Sequence, residues 1–256
     1  MVETVLFNNS AVDEVMAFYL THGRDDILYP RDAKWIEDHL GTDFFLMGIR
    51  IKEELVAVAW AANLRDFVYF TVENETLLIH NDGHYAYSGG WCIRPDQRNK
   101  GLFQLLTATV NLFWFTIINK DKDVVLWGRM VGRKDADGKP LFWNRIGERV
   151  TGLSYRELLE LPFGTMEEVI FTHWPKEPAP LKNIPRDIFE QALGKTYEPL
   201  VGPLNQFLKW GWIALTDRYV PTSLNRFFWA AKSNIADPQG FYNRALFKVI
   251  DEFSGA

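Results

Sequence analysis

The sequence predicts a mixed α/β fold of the α+β type, with a mostly antiparallel central sheet flanked by helices. The first observation is a hairpin pattern, in which residues 44–51 and 55–64 form two apolar, strand-like runs around a charged turn. The second is the run 102–118, whose apolar residues recur at helical spacing after a strand-like segment at 85–93. The order of strand, helices, meander, helix, strand and helix indicates a mixed architecture.

Short-range signals define the elements of the N-terminal half. A polar turn at 8–10 caps a helix at 12–22, and Asp32 caps a second helix that Gly41 ends. A strong turn signal at 81–83 precedes the next strand. The predicted strands of this half are 4–7, 44–51, 55–64, 67–72, 76–80 and 85–93.

The C-terminal half begins with the run 102–118, which is shorter than a typical membrane-spanning helix and carries polar residues. We therefore interpret it as a buried core helix. The last predicted helix, 239–253, has an apolar stripe that docks either on the chain's own core or on a second copy of the chain. The other predicted elements are strands at 124–130, 168–173 and 212–219 and helices at 141–146 and 199–210.

Composition excludes several classes of function. The 256 residues are 47% hydrophobic and 15% aromatic, which is enough for a sizeable core. A net charge of −5 without a basic block disfavours nucleic-acid binding. Cys92 is the only cysteine in the sequence, and the histidines match no metal-binding motif. We expect a cytoplasmic protein with no disulfide, bound metal, signal peptide or membrane insertion.

The segment 94–101 predicts an anion site. Pro95 ends the preceding strand because it has no N–H to donate, and Gly101 opens the long helix. Free amides and the helix dipole both favour negative charge at a helix start, so phosphate is the expected ligand. Gly89 and Gly90 weaken the strand before this loop, which indicates a bulge, a close backbone approach or a bend of the sheet.

Residues 93–103, Ile-Arg-Pro-Asp-Gln-Arg-Asn-Lys-Gly-Leu-Phe, resemble the acyl-CoA motif of the GNAT acyltransferase superfamily. That motif is Arg/Gln-x-x-Gly-x-Gly/Ala at a helix start. Arg98 and Gly101 match its first and fourth positions, whereas Phe103 replaces the small sixth residue. The resemblance implies a GNAT-like fold and an acyl-CoA co-substrate. The cofactor pyrophosphate would bind the amides of Arg98, Asn99, Lys100, Gly101, Leu102 and Phe103, and the pantetheine arm would pair like an added strand with Trp91, Cys92 and Ile93.

A narrower resemblance lies downstream. Residues 138–147, Gly-Lys-Pro-Leu-Phe-Trp-Asn-Arg-Ile-Gly, look like the Gly-x-Ser-Pro-Phe-Trp-x-x-Leu-Gly segment of arginine N-succinyltransferases, and residues 170–176 and 193–212 are similar to further segments of that family. The family's presumed catalytic His falls on Tyr197, which becomes the catalytic candidate. A phenol with a pKa near ~10 can donate a proton but is a poor base at neutral pH. The place of a GNAT acid tyrosine falls on Trp143, which has no titrating proton.

The resemblance implies an acyltransferase of arginine metabolism. It would move a succinyl or acetyl group from acyl-CoA to the amine of an amino acid or related small molecule by direct attack, so Cys92 is not needed as a nucleophile. Two alternatives stay open, a transferase with another donor or acceptor and a catalytically silent acyl-CoA-binding or interaction subunit. We expect an acyl-CoA-binding core at 1–160 and an extension at 161–256, whose aromatic region, 227–229, is a candidate homo-oligomer contact.

Overall fold

The computed structural model describes residues 1–24, 29–64, 68–73, 76–81, 85–118, 126–129, 132–161, 169, 172–173, 179–180, 191, 196–220, 226–230 and 237–254. The strands in chain order are β1 (Val2–Leu6), β2 (Phe44–Ile51), β3 (Glu54–Leu64), β4 (Val68–Glu73), β5 (Thr76–Asn81), β6 (Tyr85–Ile93), β7 (Leu126–Arg129), β8 (Ala179–Pro180), β9 (Ile213–Val220) and β10 (Arg226–Ala230).

The α-helices, in the same order, are α1 (Val12–His22), α2 (Ala33–His39), α3 (Leu102–Phe113), α4 (Glu148–Thr151), α5 (Tyr155–Glu160), α6 (Val201–Lys209) and α7 (Pro238–Ser254). Short 3₁₀ turns lie at Asn9–Ala11, Pro95–Gln97 and Glu198–Leu200, and π-helical turns lie at Trp114–Ile118 and Trp143–Gly147. The described helices include none that is both long enough and apolar enough to cross a membrane.

The chain divides into two compact units. The first unit comprises Met1–Asn63, Ala86–Leu126 and Ile235–Ala256, and the second comprises Leu64–Tyr85 and Trp127–Asn234. The sequence predicts a boundary at residue 160 between an acyl-CoA-binding core and an extension. That prediction concerns which part of the chain binds the cofactor, and the division into compact units does not test it. It stays a prediction.

The first unit contains the strand order β1-β2-β3-β6. β2 pairs antiparallel with both β1 and β3. The turn between β2 and β3 consists of Lys52 and Glu53, both with positive φ, as a two-residue hairpin turn requires. Side chains of β2 and β3 are buried almost throughout, so the apolar runs that predicted these strands form the centre of the core.

Helices cover this sheet as the sequence predicts. Asp32 accepts hydrogen bonds from the amides of Lys34 and Trp35 and thereby caps α2. The side chains of α3 pack against β2, where the rings of Phe45 and Phe113 lie 5.3 Å apart. The mixed α/β architecture with an antiparallel sheet flanked by helices is confirmed.

The C-terminal helix α7 docks on α3 within the same unit. Its buried residues, Phe241, Ala245 and Val249, follow one stripe along the helix. The Tyr242 hydroxyl also shares a hydrogen bond of 2.8 Å with the Thr4 hydroxyl. Docking of this helix on the chain's own core, one of the two alternatives from the sequence, is therefore what the structure shows. Contact with a second copy of the chain stays a prediction.

The second unit contains the strand order β7-β10-β9-β4-β5-β8. The prediction missed β10, which pairs antiparallel with both β7 and β9. The sequence alone predicts only a contact surface for its aromatic run. The strand predicted at 168–173 is wrong at its described positions, because Val169, Thr172 and His173 are helical. A short apolar run fits a helical turn as well as a strand, so periodicity does not separate the two.

Candidate functional site

The start of α3 is the centre of the candidate site. Gly101 occupies the cap position with φ +79°, a left-handed conformation that suits glycine, and it offers no side chain to the helix amides. The amide of Leu105 donates to the Gly101 carbonyl at 3.1 Å and closes the first turn. The amides that precede it have no acceptor inside the helix, so an anionic ligand can supply one.

The loop before α3 is held by its own contacts. Arg94 ion-pairs with Glu54 at 3.0 Å and with Asp96 at 2.8 Å, which ties the end of β6 to β3. Asn99 also has a positive φ, +66°, so two left-handed residues lie within three positions of each other. Backbone in such alternating conformations turns amides toward one concave side, as anion-binding loops do.

Three cationic side chains lie around this helix start. Arg98 is exposed, and its Nε atom is 3.4 Å from the Ile93 carbonyl. Lys100 donates to Gln97 at 3.1 Å, and its ammonium lies 5.3 Å from the ring centre of Phe253 in α7. Lys248 of α7 passes within 3.8 Å of the position that a Cβ atom on Gly101 would take.

Lys248 is a site residue that the sequence did not reveal. It lies off the apolar stripe of α7, and only the docking of α7 on α3 brings it to the helix start. The apolar stripe of α7 is a weak signal for this placement. When such a stripe docks on a core, the cations that flank it come to lie beside the same surface.

The predicted pantetheine strand precedes the loop in β6. Trp91 and Ile93 are half-buried, and Cys92 is 2% exposed. Burial raises the pKa of the Cys92 thiol to about 11, against a smaller lowering effect of the Arg98 guanidinium. The thiol is therefore protonated at neutral pH, consistent with direct transfer that needs no cysteine nucleophile.

Gly89 and Gly90 lie where backbone closely approaches a side chain. A Cβ atom on Gly89 would lie 2.7 Å from the Trp60 indole, and one on Gly90 would lie 2.4 Å from it. Gly90 also has φ +63° inside β6, and we call this distortion the Gly90 kink. Of the alternatives drawn from the sequence, close backbone approach is the one observed.

The predicted cofactor residues all lie in the first unit. Leu102 is buried, Asn99 is exposed, and Gly101 and Phe103 are half-buried. The Arg98 Nε atom lies 3.4 Å from the Ile93 carbonyl, so the loop and the strand meet at their junction. The structure thus brings the two halves of the predicted cofactor site together.

Tyr197, the predicted catalytic residue, lies in the second unit. Its neighbour Thr196 bridges Gly132 across two backbone segments, and the Lys134 ammonium lies 4.8 Å from the centre of the Tyr197 ring. A cavity of about 480 Å³ opens beside Tyr197. Besides Tyr197 its lining includes Arg133, Lys134, Leu141, Gln191 and Glu198.

One wall of that cavity is a rigid hairpin loop. Asp135 accepts hydrogen bonds from the amides of Asp137 and Lys139 and from the side chain of Asn144. The amide of Leu141 donates to the Arg133 carbonyl at 2.9 Å and closes the loop. The cations of this loop are therefore presented on fixed backbone beside the Tyr197 phenol.

Other acid–base candidates have structural explanations. Trp143 is fully buried, and its indole N–H donates to the Leu153 carbonyl at 3.0 Å, so it is a core residue. Glu53 lies exposed in the hairpin turn, and Glu54 pairs with Arg94. His84 lies outside the described residues. Across the part of the chain that is described, no three His, Cys, Asp or Glu residues group as metal ligands.

Comparison with solved structures identifies the fold. The arginine/ornithine succinyltransferase subunit AI from Pseudomonas aeruginosa superposes with a TM-score of 0.65 at 13% identity, over 95% of this chain and 79% of that chain. This similarity shows a shared GNAT-like fold. No protein-family model matches the chain, and no curated protein matches it.

Two further structures are similar at lower TM-scores. An N-acetyltransferase from Staphylococcus aureus Mu50 gives a TM-score of 0.41 at 11% identity, over 90% of this chain and 96% of that chain. A ribosomal-protein-alanine N-acetyltransferase from Brucella melitensis biovar Abortus 2308 gives 0.33 at 16% identity, over 49% and 78%. Both TM-scores are below 0.5 and do not establish a shared fold.

Proposed function

We propose that this chain, with its GNAT-like fold, is an acyl-CoA-dependent N-acyltransferase that moves an acyl group such as succinyl or acetyl to a small-molecule amine. The observation that carries the proposal is the start of α3. There a left-handed Gly101 places no side-chain cap on the helix amides, and three cations lie near the helix start. This arrangement suits a pyrophosphate group.

The residues present fit the cofactor that the fold implies. Amide donors and the dipole of α3 would hold the pyrophosphate, and Arg98 and Lys248 would add positive charge near the cap. The pantetheine arm, which carries amide groups, would pair with the backbone of Trp91, Cys92 and Ile93 in the manner of an added strand. The glycines at the Gly90 kink allow Trp60 to pack beneath this strand.

The chemistry requires an amine to lose a proton and a thiolate to gain one. Cys92 takes no covalent part in the proposed reaction, because its thiol is buried and protonated. Tyr197 is the proposed proton donor to the leaving thiolate, by its position in the segment that resembles the succinyltransferases. The cavity beside it, whose lining includes Arg133, Lys134 and Glu198, would receive a charged acceptor.

Two competing functions follow from specific observations. Phe103 and Tyr197 depart from the pattern of the resembled families, which favours a donor or acceptor other than those of arginine succinylation. Trp143 is committed to the core by its bond to Leu153, so the acid tyrosine expected there is missing. That absence favours a silent acyl-CoA-binding subunit, with no turnover.

The test is a panel of donors and acceptors. The purified chain is incubated with acetyl-CoA or succinyl-CoA and each of a set of amino acids and polyamines, and the acylated products are detected by mass. Formation of one acylated amine with release of free CoA supports the transferase. Tight acyl-CoA binding without any acylated product supports the silent subunit and contradicts the enzyme.

A further inference from the structure

Tyr19 is a buried hydroxyl that the proposed site does not use. It lies on α1, is 2% exposed, and donates a hydrogen bond of 2.8 Å to the Gly90 carbonyl, 71 residues further along the chain. The acceptor is the residue at the Gly90 kink, immediately before Trp91. A side chain from α1 therefore reaches the strand that is proposed to bind the pantetheine arm.

The surroundings of this bond leave the hydroxyl little freedom. The Tyr19 ring stacks on the Tyr29 ring with centres 4.4 Å apart and planes within 6° of parallel. The Arg31 guanidinium lies over the Tyr29 ring, 5.1 Å from its centre. On the strand side, a Cβ atom on Gly90 would lie 2.7 Å from the Tyr19 oxygen, so glycine is what permits the approach.

The bond fixes the orientation of one peptide. The described backbone has no cis peptide, so the Gly90 carbonyl and the Trp91 N–H point in opposite directions from one plane. Holding the carbonyl toward Tyr19 therefore holds the Trp91 N–H away from it. Gly90 has φ +63° inside β6, so this peptide departs from regular strand geometry, and the bond from the Tyr19 hydroxyl holds its carbonyl in that orientation.

We infer that Tyr19 is a positioning residue, whose hydroxyl sets the Gly90–Trp91 peptide and thereby aims the Trp91 amide at the ligand of β6. The identity of that ligand as the pantetheine arm rests on the proposed function. The setting of the peptide does not, because it is a property of the unliganded chain.

The hydroxyl is a donor throughout the physiological range. Burial raises the pKa of Tyr19 well above its usual value, and the neighbouring Cys92 and Tyr29 raise it further. A protonated phenol has one O–H and can donate it to one acceptor. In Tyr19 that acceptor is the Gly90 carbonyl.

Tyr19→Phe tests the inference, because it removes the hydroxyl and keeps the ring. Tyr242→Phe is the matched control, since it removes another tyrosine hydroxyl of the same unit that also makes one bond of 2.8 Å. In the unliganded protein, the Gly90 carbonyl ¹³C and Trp91 amide ¹⁵N resonances should shift in Tyr19→Phe and stay in place in Tyr242→Phe. Unmoved resonances in Tyr19→Phe would overturn the inference.

Two ligands separate positioning from general loss of structure. CoA contains the pantetheine arm, whereas 3′-phospho-ADP contains only the part proposed for the helix start. Tyr19→Phe should weaken CoA binding about tenfold and leave 3′-phospho-ADP binding within about twofold of the native value. Equal weakening of both ligands would show that Tyr19 merely holds the fold together.

The remaining outcomes also discriminate. If the native chain binds neither ligand, the proposed function fails, and the unliganded resonances alone decide whether Tyr19 sets the peptide. If Tyr19→Phe does not fold, native chain labelled with 3-fluorotyrosine keeps every ring and alters the donor strength of the hydroxyl. The Gly90 carbonyl resonance should then move, and an unmoved resonance would contradict the inference.

Discussion

The Gly90 kink gives a quantitative prediction for the substitution Gly90→Ala. Two separable effects should lower the stability of this variant, an unfavourable backbone conformation and overpacking. Gly90→Ala places a side chain at φ +63°, which costs about 1–2 kcal/mol for a residue other than glycine. The new Cβ atom would also lie 2.4 Å from the Trp60 indole and 2.7 Å from the Tyr19 oxygen, and overpacking of this kind costs about 1–3 kcal/mol. We expect Gly90→Ala to lower the free energy of unfolding by about 2–5 kcal/mol.

Two other glycines isolate each part. Gly41 has φ +86° with nothing within 4 Å of its Cβ position, so Gly41→Ala carries the backbone cost alone. Gly89 lacks the positive φ but meets Trp60 at 2.7 Å, so Gly89→Ala carries the packing cost alone. The loss in Gly90→Ala should equal or exceed the sum of the losses in the other two variants, because its Cβ atom also meets the Tyr19 oxygen at 2.7 Å.

The assay is urea unfolding followed by tryptophan fluorescence, with the midpoint and slope fitted for each variant. An unchanged slope with a lower midpoint reports lost stability of the folded chain. If Gly90→Ala loses no more than Gly41→Ala, the contact with Trp60 does not constrain β6, and our explanation of the kink is refuted.

Two further predictions concern titration and catalysis. The folded Cys92 thiol keeps its proton up to about pH 11, whereas an unfolded thiol loses it near 9, so Cys92 should contribute stability that is lost as pH rises through this window. In urea unfolding, the difference in free energy of unfolding between the native chain and Cys92→Ala should fall by about 2–3 kcal/mol from pH 8 to pH 11. A difference that does not change with pH would argue against burial of the thiol. Tyr197→Phe should lower kcat about 10²-fold with little change in the KM for acyl-CoA, measured on the best acceptor pair, and an unchanged kcat excludes Tyr197 as the acid.

Much of the first unit could be predicted from the sequence because its signals are local. The turn at Lys52 and Glu53, the cap at Asp32 and the long apolar run of α3 each depend on residues within a few positions of one another. The acyl-CoA motif is local too, so the loop and the strand before it were found together. These parts needed no knowledge of tertiary contacts.

The missed parts depend on distant pairing. β10 forms a strand by pairing with β7 on one side and β9 on the other. Its short aromatic run shows no alternation of apolar and polar residues that would predict a strand from the sequence. Lys248 reaches Gly101, and Tyr19 reaches Gly90, through the docking of whole helices. Sequence spacing does not identify the partner in either approach, since the partners are far apart along the chain and the amphipathic pattern of α7 shows only which of its faces docks.

The most direct test of the proposed function is acyl-CoA binding measured by calorimetry with two charge reversals on one helix. Lys248→Glu places an anion beside the start of α3, whereas Arg244→Glu makes the same change in net charge one turn earlier on α7, where both side chains are exposed. We expect the native chain and Arg244→Glu to bind acetyl-CoA or succinyl-CoA with similar affinity, and Lys248→Glu to bind about tenfold more weakly. Absence of binding by the native chain, or equal binding by both variants, would contradict a pyrophosphate site at Gly101.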